Sequence, residues 1–387
     1  MIQTDACIIG AGPAGATTSL MLSKMGISHY IVDKATFPRD KTCGDGLILY
    51  VFRALKIIDP KLLEAFINHP KFICSWKGKL HISNCTTIGI QKKENKKHAP
   101  IFYGKRIDFD YFLVEKLPSS YATIDLGNPA IDFKKQKDGI VVKLKDGKEI
   151  FSKVVVGADG IQSIVSKKLA KNTIDKKRTS TFFSAYFKGL ENLPEDNEAE
   201  IRLVYKNTPL FFYIFPLPNG EANVSLGGLS SEIQKHKISL KTEVELLLKS
   251  HPKIAHKFKM AKRISDWRGW GIPCNFGHSK VSGNGFLLTG DAAGLANAFY
   301  KEGVGTGMMS GIIAAQKIKE CLQTNDFSEV SLSDYEERLQ DELGKLLKYS
   351  RGALRLARQQ RTFRSIIYSL NPFIERKVDD IIDKRTY

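Results

Sequence analysis

The chain has 387 residues, 42% hydrophobic and 26% charged, with Lys+Arg 59 against Asp+Glu 41, a net charge of +18. This suits a soluble globular protein of two interlocked domains, more than one simple layer and fewer than three ordinary domains. The positive excess attracts anions, but the chain has no arginine-rich arm, RNA-binding signature or zinc-finger spacing, so nucleic acid is set aside as a partner.

Many of the lysines lie in stretches such as "KKQKDGIVVKLKDGKEIFSK" (Lys134–Lys153), which alternate as exposed strands do. The cysteines are Cys7, Cys43, Cys74, Cys85, Cys274 and Cys321; none forms Cys-x-x-Cys or pairs with histidine at metal spacing. They read as reduced thiols, and no metal site is expected.

The first element is "DACIIGAGPAGATTSLMLSKMGI" (Asp5–Ile27). A signal peptide needs a basic leader and a membrane span needs dense aliphatics; here the early charge is Asp5 and the middle is Gly-Ala-Gly-Pro-Ala-Gly. The pattern instead predicts a strand over 5–9, a turn over Gly10–Gly15, a helix over 14–25 and a second strand, "YIVD", ending in Asp33. This is the βαβ phosphate-binding unit. Gly10 permits the tight turn, Gly12 leaves room for pyrophosphate, and Gly15 lets the helix pack on the strand. The helix dipole faces the phosphates. Asp33, 18 residues after Gly15, stands where a carboxylate accepts ribose hydroxyls.

Two later segments continue the pattern. "VVVGADGIQSIVSKKL" (Val154–Leu169) is a strand, a turn carrying Asp159 and a helix. "GNGFLLTGDAAGLANAFYKEGVGTGMMSG" (Gly283–Gly311) is a strand over 286–289, Gly290-Asp291 and a glycine-rich helix start. In this order and spacing the chain resembles the flavoprotein superfamily typified by para-hydroxybenzoate hydroxylase. The resemblance implies FAD as cofactor, with Asp291 accepting from the ribityl chain and the N–H groups at Gly303 and Val304 facing the flavin O2/N1 edge. Arg106, in "YGKRIDFDYFL", is implied as an FAD contact. So are Pro13, Ala14, Lys34, Cys43, Gly44, Ala130, Asp159 and Gly290.

"FPRDKTCGDGL" (Phe37–Leu47), "FFYIFPLPNGEANVSLGG" (Phe211–Gly228) and "YEERLQDELGKLLKYSRGALRLA" (Tyr335–Ala357) narrow the match. Together they resemble the geranylgeranyl reductase family, in which the Cys-Gly pair lies near the isoalloxazine and the substrate cavity. Phe211, Tyr213 and Phe215 alternate on one strand face and, with Pro216, are candidates to line an apolar substrate cavity. Cys43 and Tyr213 are the candidate catalytic groups, as proton donors. Asp45 reads as holding a turn. The family commonly has Pro at the place of Ala298 and Gly at that of Lys301. Lys301 thus brings a cation to the flavin edge or the cavity mouth, where it supports an anionic reduced flavin or recognises a polar substrate group.

The resemblance implies an FAD-dependent reductase of isoprenoid carbon–carbon double bonds, with hydride from FADH2. The alternative is a monooxygenase acting through a flavin C4a-hydroperoxide. A halogenase fits less well, because Trp-x-Trp-x-Ile-Pro is replaced by Phe211-Phe212-Tyr213-Ile214-Phe215-Pro216. No second βαβ glycine fingerprint is evident, so NAD(P)H in transient contact, or an electron carrier, is the expected reductant.

The expected fold is α/β: a discontinuous Rossmann-type FAD-binding domain (1–70, 101–175, 275–330), an interleaved antiparallel-sheet substrate domain (71–100, 176–274) and a C-terminal helical region (331–387). Strands are expected over 181–188, 201–205, 210–215 and 222–226, with 192–200 a polar loop. Lys345–Tyr387 holds 11 Lys/Arg against 4 Asp/Glu, with Arg351, Arg355 and Arg358 on one helical face, and Phe363, Ile366, Ile367, Leu370 and Phe373 add apolar bulk. The chain is expected in the cytoplasm, with this region in peripheral contact with an anionic membrane.

Overall fold

Ala6 to Ile9 are buried on both faces, which is why the first strand, Ile2–Ile9, is continuously apolar where it meets the core. The computed structural model describes residues 1–48, 50–82, 86–91 (backbone only), 99–194 and 196–366. In it, Ile2–Ile9 lies between two parallel neighbours, Glu149–Gly157 and His29–Asp33, with Ile8 opposite Val156 and Ile31. Ala122–Leu126 and Phe286–Leu288 extend the sheet on either side, also parallel. The hairpin Ala130–Gln136/Gly139–Leu144 adds antiparallel strands to the start of Glu149–Gly157. Helices Pro13–Lys24 and Val304–Thr324 pack on each other, and their Ala16, Leu20, Met308 and Ile312 share one core with Ile8 and Ile31.

A second sheet is built by Thr179–Lys188, Glu221–Leu229, Pro209–Leu217, Ala199–Tyr205, Lys77–Ile82 and Thr86–Gln91 in that spatial order, with Lys262–Arg263 and Arg268–Pro273 beyond Thr179–Lys188. The four strands expected here extend one to three residues past their predicted ends. Two corrections arise at one seam. Ala199–Tyr205 pairs with Lys77–Ile82 in parallel, so the sheet is not wholly antiparallel. Ala199 and Glu200, read as loop, already belong to that strand, while Glu195 lies outside the described residues. The two faces of the sheet divide by alternation. Phe212, Ile214, Val224 and Leu226 pack on Leu240, Val244 and Leu247 of helix Leu240–Ser250. The other face, with Tyr213 and Phe215, turns toward the first sheet.

A three-stranded sheet, Gly46–Ile48/Ile101–Tyr103/Ile73–Ser75, bridges the two. The C-terminal helix Lys345–Ala357 docks on both sheets' loops: Ala298 N–H donates to Ser350 Oγ at 3.1 Å, Arg351 Nη1 to the Phe276 carbonyl at 3.3 Å, and Tyr205 Oη to the Ala357 carbonyl at 3.0 Å. Arg358 pairs with Glu232, and Phe363 is buried against Phe299. Of the basic face Arg355 stays exposed, with no such contact among the described residues, and of the apolar bulk Ile367, Leu370 and Phe373 lie outside the described residues, as does Cys85. Among the described residues no helix is long and apolar enough to cross a membrane.

Candidate active site

Gly10 has φ +102°, and a Cβ there would lie 2.5 Å from the Ala158 carbonyl oxygen, so the first turn requires glycine. A Cβ on Gly15 would stand 1.8 Å from the Gly10 carbonyl oxygen; Gly15 packs helix on turn and does not line the site. Asp33 closes the turn from the next strand: Oδ2 accepts Ala11 N–H at 2.7 Å and Oδ1 accepts Ala35 N–H at 2.9 Å. The carboxylate thus positions both loops at this end of the cavity.

These loops form one end of a cavity of about 1000 Å³ between the two large sheets. Gly10, Gly12, Pro13, Ala14, Asp33, Lys34 and Ala130 line that end, and Cys43, Gly44, Arg106, Asp159, Gly290, Asp291, Gly303 and Val304 line it further along. Asp159 Oδ2 accepts Ile164 N–H at 2.7 Å, capping the short helix after its turn. Gly303 and Val304 open the 21-residue helix Val304–Thr324, whose positive dipole end therefore meets the cavity. Arg106 Nε and Nη2 bind the Asp110 carboxylate at 2.6 and 2.9 Å, and Arg39 Nη1 reaches the same carboxylate at 2.9 Å. Burial works against the Arg106 charge, but Asp110 and the facing Cys43 side chain outweigh it and hold the guanidinium firmly protonated.

The second sheet forms the ceiling. Tyr213 and Phe215 line the cavity with Phe182, Ser184, Ser225, Ile201 and Leu80. The expected row is shorter than its alternation suggested. Phe211 sits one pair further along, edge-on to Phe299, and Pro216 is on the opposite face of its strand; neither lines the cavity. Lys301 does line it, half-buried, with Nζ donating to Ser180 Oγ at 2.9 Å and to the Ala298 carbonyl. Burial lowers its pKa to about 8.

The loop after Cys43 is pinned to this ceiling. Asp45 is fully buried, at φ +64°, so it does hold a turn. Its Oδ1 accepts Arg106 N–H at 3.1 Å and its Oδ2 accepts Asn223 Nδ2 at 2.7 Å; the same Nδ2 donates to the Cys43 carbonyl at 2.7 Å. Ser225 Oγ donates to Asn223 Oδ1 at 2.6 Å, and Ser184 Oγ is 2.7 Å from Ser225 Oγ. Burial raises the Asp45 carboxyl to about 7, against hydrogen bonds from Asn223, Tyr186 and Arg106 that favour its charge. Glu302 is a second such acid: Oε1 caps the long helix at Gly305 N–H, Oε2 has no hydrogen-bond partner among the described residues, and burial raises it to about 7. Burial drives the Tyr213 phenol upward, so it stays neutral and is a poor acid.

Sequence reasoning missed Arg39, Lys41, Asp110, Asn223 and Glu302. Lys41 lies over the Trp270 ring, 4.6 Å from its centroid, and burial lowers its pKa. Arg39 and Lys41 stand inside "FPRDKTCGDGL" and Asn223 inside "GEANVSLGG", while Asp110 is four residues after Arg106 on one helix. Those spacings were the available signals.

A family model described as an FAD binding domain matches residues 3–341. The chain belongs to this FAD-binding family. It is 26% identical over 338 residues to the menaquinone reductase of Mycobacterium tuberculosis (strain ATCC 25618 / H37Rv), covering 81% of this chain and 76% of that protein. It is 26% identical over 353 residues to the digeranylgeranylglycerophospholipid reductase of Methanocella arvoryzae, covering 89% and 85%. Among solved structures, a geranylgeranyl bacteriochlorophyll reductase-like protein from Thermoplasma acidophilum superposes with TM-score 0.82 at 19% identity, covering 95% of this chain and 91% of that one. A flavin-dependent halogenase superposes with TM-score 0.73 at 19% identity, covering 89% and 63%. At such identities these likenesses show the shared fold.

The expected para-hydroxybenzoate hydroxylase-like α/β fold is therefore present, FAD is the cofactor, and the chain is an FAD-dependent oxidoreductase. The residues fit the FAD family: Gly12 lines the cavity, where a side chain would take up space open to a dinucleotide, and the cavity continues past the glycine turn to a helix N-terminus.

Proposed function

We propose that this oxidoreductase saturates carbon–carbon double bonds of an isoprenoid lipid. The observation that carries the reading is the ceiling of the cavity. Leu80, Ile201, Phe182 and Phe215, with Ile48 and Ile101 alongside, offer a hydrocarbon chain an apolar wall reached from the flavin end. A relative named for digeranylgeranylglycerophospholipid, an isoprenoid lipid by its name, supports the same substrate class.

When bound and reduced, FAD supplies a hydride, and addition across an alkene needs a proton besides. The Asp45 carboxyl holds that proton near neutral pH at the cavity wall, beside Cys43. Asn223 and the Arg106 N–H fix its orientation, and Tyr186, half-buried and hydrogen-bonded to Asp45, gives the route by which solvent replaces the proton. Tyr213 shapes the wall rather than donating. Residues Gly10 to Ala14 and Asp33 hold the dinucleotide end, and Arg106 is kept in place by Asp110. NAD(P)H or an electron carrier is the reductant in this reading, and the exposed Arg355, Tyr349 and Leu356 of the C-terminal helix contact an anionic membrane surface.

The test is anaerobic. The protein is photoreduced and mixed with a geranylgeranyl lipid. Flavin re-oxidation without oxygen, dependent on the lipid, supports the reading. Re-oxidation by oxygen alone, coupled to hydroxylation of the lipid, supports the oxygenase instead.

A further inference from the structure

On the ceiling, Tyr213 is sandwiched between two rings, 5.4 Å from Phe182 with 12° between planes and 5.1 Å from Phe215 with 9° between planes. The residue is 4% exposed, yet its Oη has no hydrogen-bond partner among the described residues. A buried hydroxyl left unpaired costs about 1–3 kcal/mol. Phenylalanine would fill the same stack without that cost.

Lys301 shows a second unreturned cost close by. Its backbone is in the left-handed region at φ +61°, where a side chain costs about 1–2 kcal/mol and glycine nothing comparable. An ammonium has three N–H donors. Ser180 Oγ and the Ala298 carbonyl take two, and among the described residues no carboxylate accounts for its charge. Nζ lies 5.2 Å from the Phe211 ring centroid, and the Tyr213 ring lies 6.4 Å from the same ring. Lys301 Nζ and the Tyr213 ring therefore neighbour one phenylalanine, and both residues line the cavity.

We propose that Tyr213 Oη and Lys301 Nζ form a subsite for an acceptor oxygen carried by the substrate beside its hydrocarbon chain, a carbonyl or its ionised enolate or phenolate form. The inference rests on the isoprenoid reading above and narrows it. The phenol donates one hydrogen bond and the ammonium another, with its charge favouring the ionised oxygen. A pure hydrocarbon leaves both donors unpaired in an apolar wall, which is the discrimination such a pair provides. Neither residue moves a proton in this role; they select and orient the ligand.

The test uses the FAD-loaded protein and two probes of like chain: farnesylacetone, which ends in a methyl ketone, and farnesene, a hydrocarbon. Dissociation constants are read from the perturbation of flavin absorbance. The wild type is expected to bind the ketone about tenfold more tightly, the worth of roughly one good hydrogen bond. Tyr213→Phe keeps the ring stack and Lys301→Gly suits the left-handed backbone, so both variants are expected to fold, as a thermal melt will show. Each should weaken ketone binding about 3- to 10-fold, and the double variant should bind both probes within about twofold, with farnesene affinity unchanged throughout. Equal binding of the two probes by the wild type, or equal loss of both in the variants, overturns the subsite and leaves the alkene reading standing. Failure of the wild type to bind either probe overturns both.

Discussion

Asn223 Nδ2 donates to Asp45 Oδ2 at 2.7 Å, and so ties the inner strand Glu221–Leu229 of the second sheet to the loop that carries Cys43. One side chain thereby holds the cavity's ceiling to its floor. It also sets the environment of the buried acid that the proposed chemistry uses.

Asp45 should govern the pH dependence. Its carboxyl is raised by burial to about 7, so the protonated form prevails below that pH and is lost above it. The rate of lipid-dependent flavin re-oxidation is expected to fall as pH rises through about 7. Asp45→Asn should remove that limb and slow the step about 100-fold or more, the usual worth of a positioned acid. Stability follows the same sign: the folded state binds the proton more tightly than the unfolded chain, so this group's contribution is full below about pH 4 and lost as pH rises through 7. Thermal melts of apoprotein from pH 5 to 8 should show the Asp45→Asn variant gaining on wild type as pH rises. A constant difference between the two melts would contradict the assignment.

Removing the tie tests the architecture. Asn223→Ala leaves the Cys43 carbonyl and Asp45 without their shared donor and Ser225 without its acceptor. A loss of about 1–3 kcal/mol is expected in denaturant unfolding, with weaker FAD binding. Unchanged stability and unchanged FAD affinity would show that the loop does not depend on the strand.

Asp110 is buried beneath Arg39 and Arg106. Asp110→Asn leaves two guanidinium groups short of their counter-charge, one of them buried, and should cost about 3–5 kcal/mol. Arg106 should then drift from the cavity wall, so FAD should dissociate more readily at equal temperature. Equilibrium dialysis of the variant reads this directly. Retention of FAD at wild-type affinity would separate Arg106 from the cofactor.

The glycine turn gives a simpler case. Gly10→Ala forces a Cβ to within 2.5 Å of the Ala158 carbonyl at φ +102°. The purified variant is expected colourless or with FAD readily lost on gel filtration. A fully yellow variant would mean that the turn can relax.

Membrane contact is tested by flotation with anionic vesicles. Arg351 and Arg358 are engaged within the fold, so the docked helix offers a weaker basic face than its sequence suggests. Binding at low salt that disappears by physiological salt is the expected result, since surface charge attraction is screened over about 8 Å there. No flotation even at low salt would remove the membrane from the account.

Much of the fold was legible because local rules coincide in it. The apolar strand at Ala6–Ile9, the positive-φ glycine and the acid ending the next strand each follow from elementary chain geometry, and they recur in order. Strand ends were less legible, since Ala199 and Glu200 are strand only because Gly78 and Lys79 pair with them. Side-chain placement was read where alternation decides it, at Tyr213 and Phe215, and misread where it does not reach. Phe211 is on the right face but beyond the cavity's edge, and Pro216 is on the wrong face. The polar network was least legible. Asp45 and Asn223 are 178 residues apart, and no local pattern announces that they meet.

The most direct measurement is the mass of the lipid recovered after one anaerobic turnover of the photoreduced protein. The account predicts a product that has gained two hydrogens for each flavin oxidised, both of them deuterium when reduction and turnover are run in D2O, because the N5–H of reduced flavin exchanges with solvent. A lipid recovered unchanged while flavin stays reduced, or one that gains oxygen only after air is admitted, would contradict it.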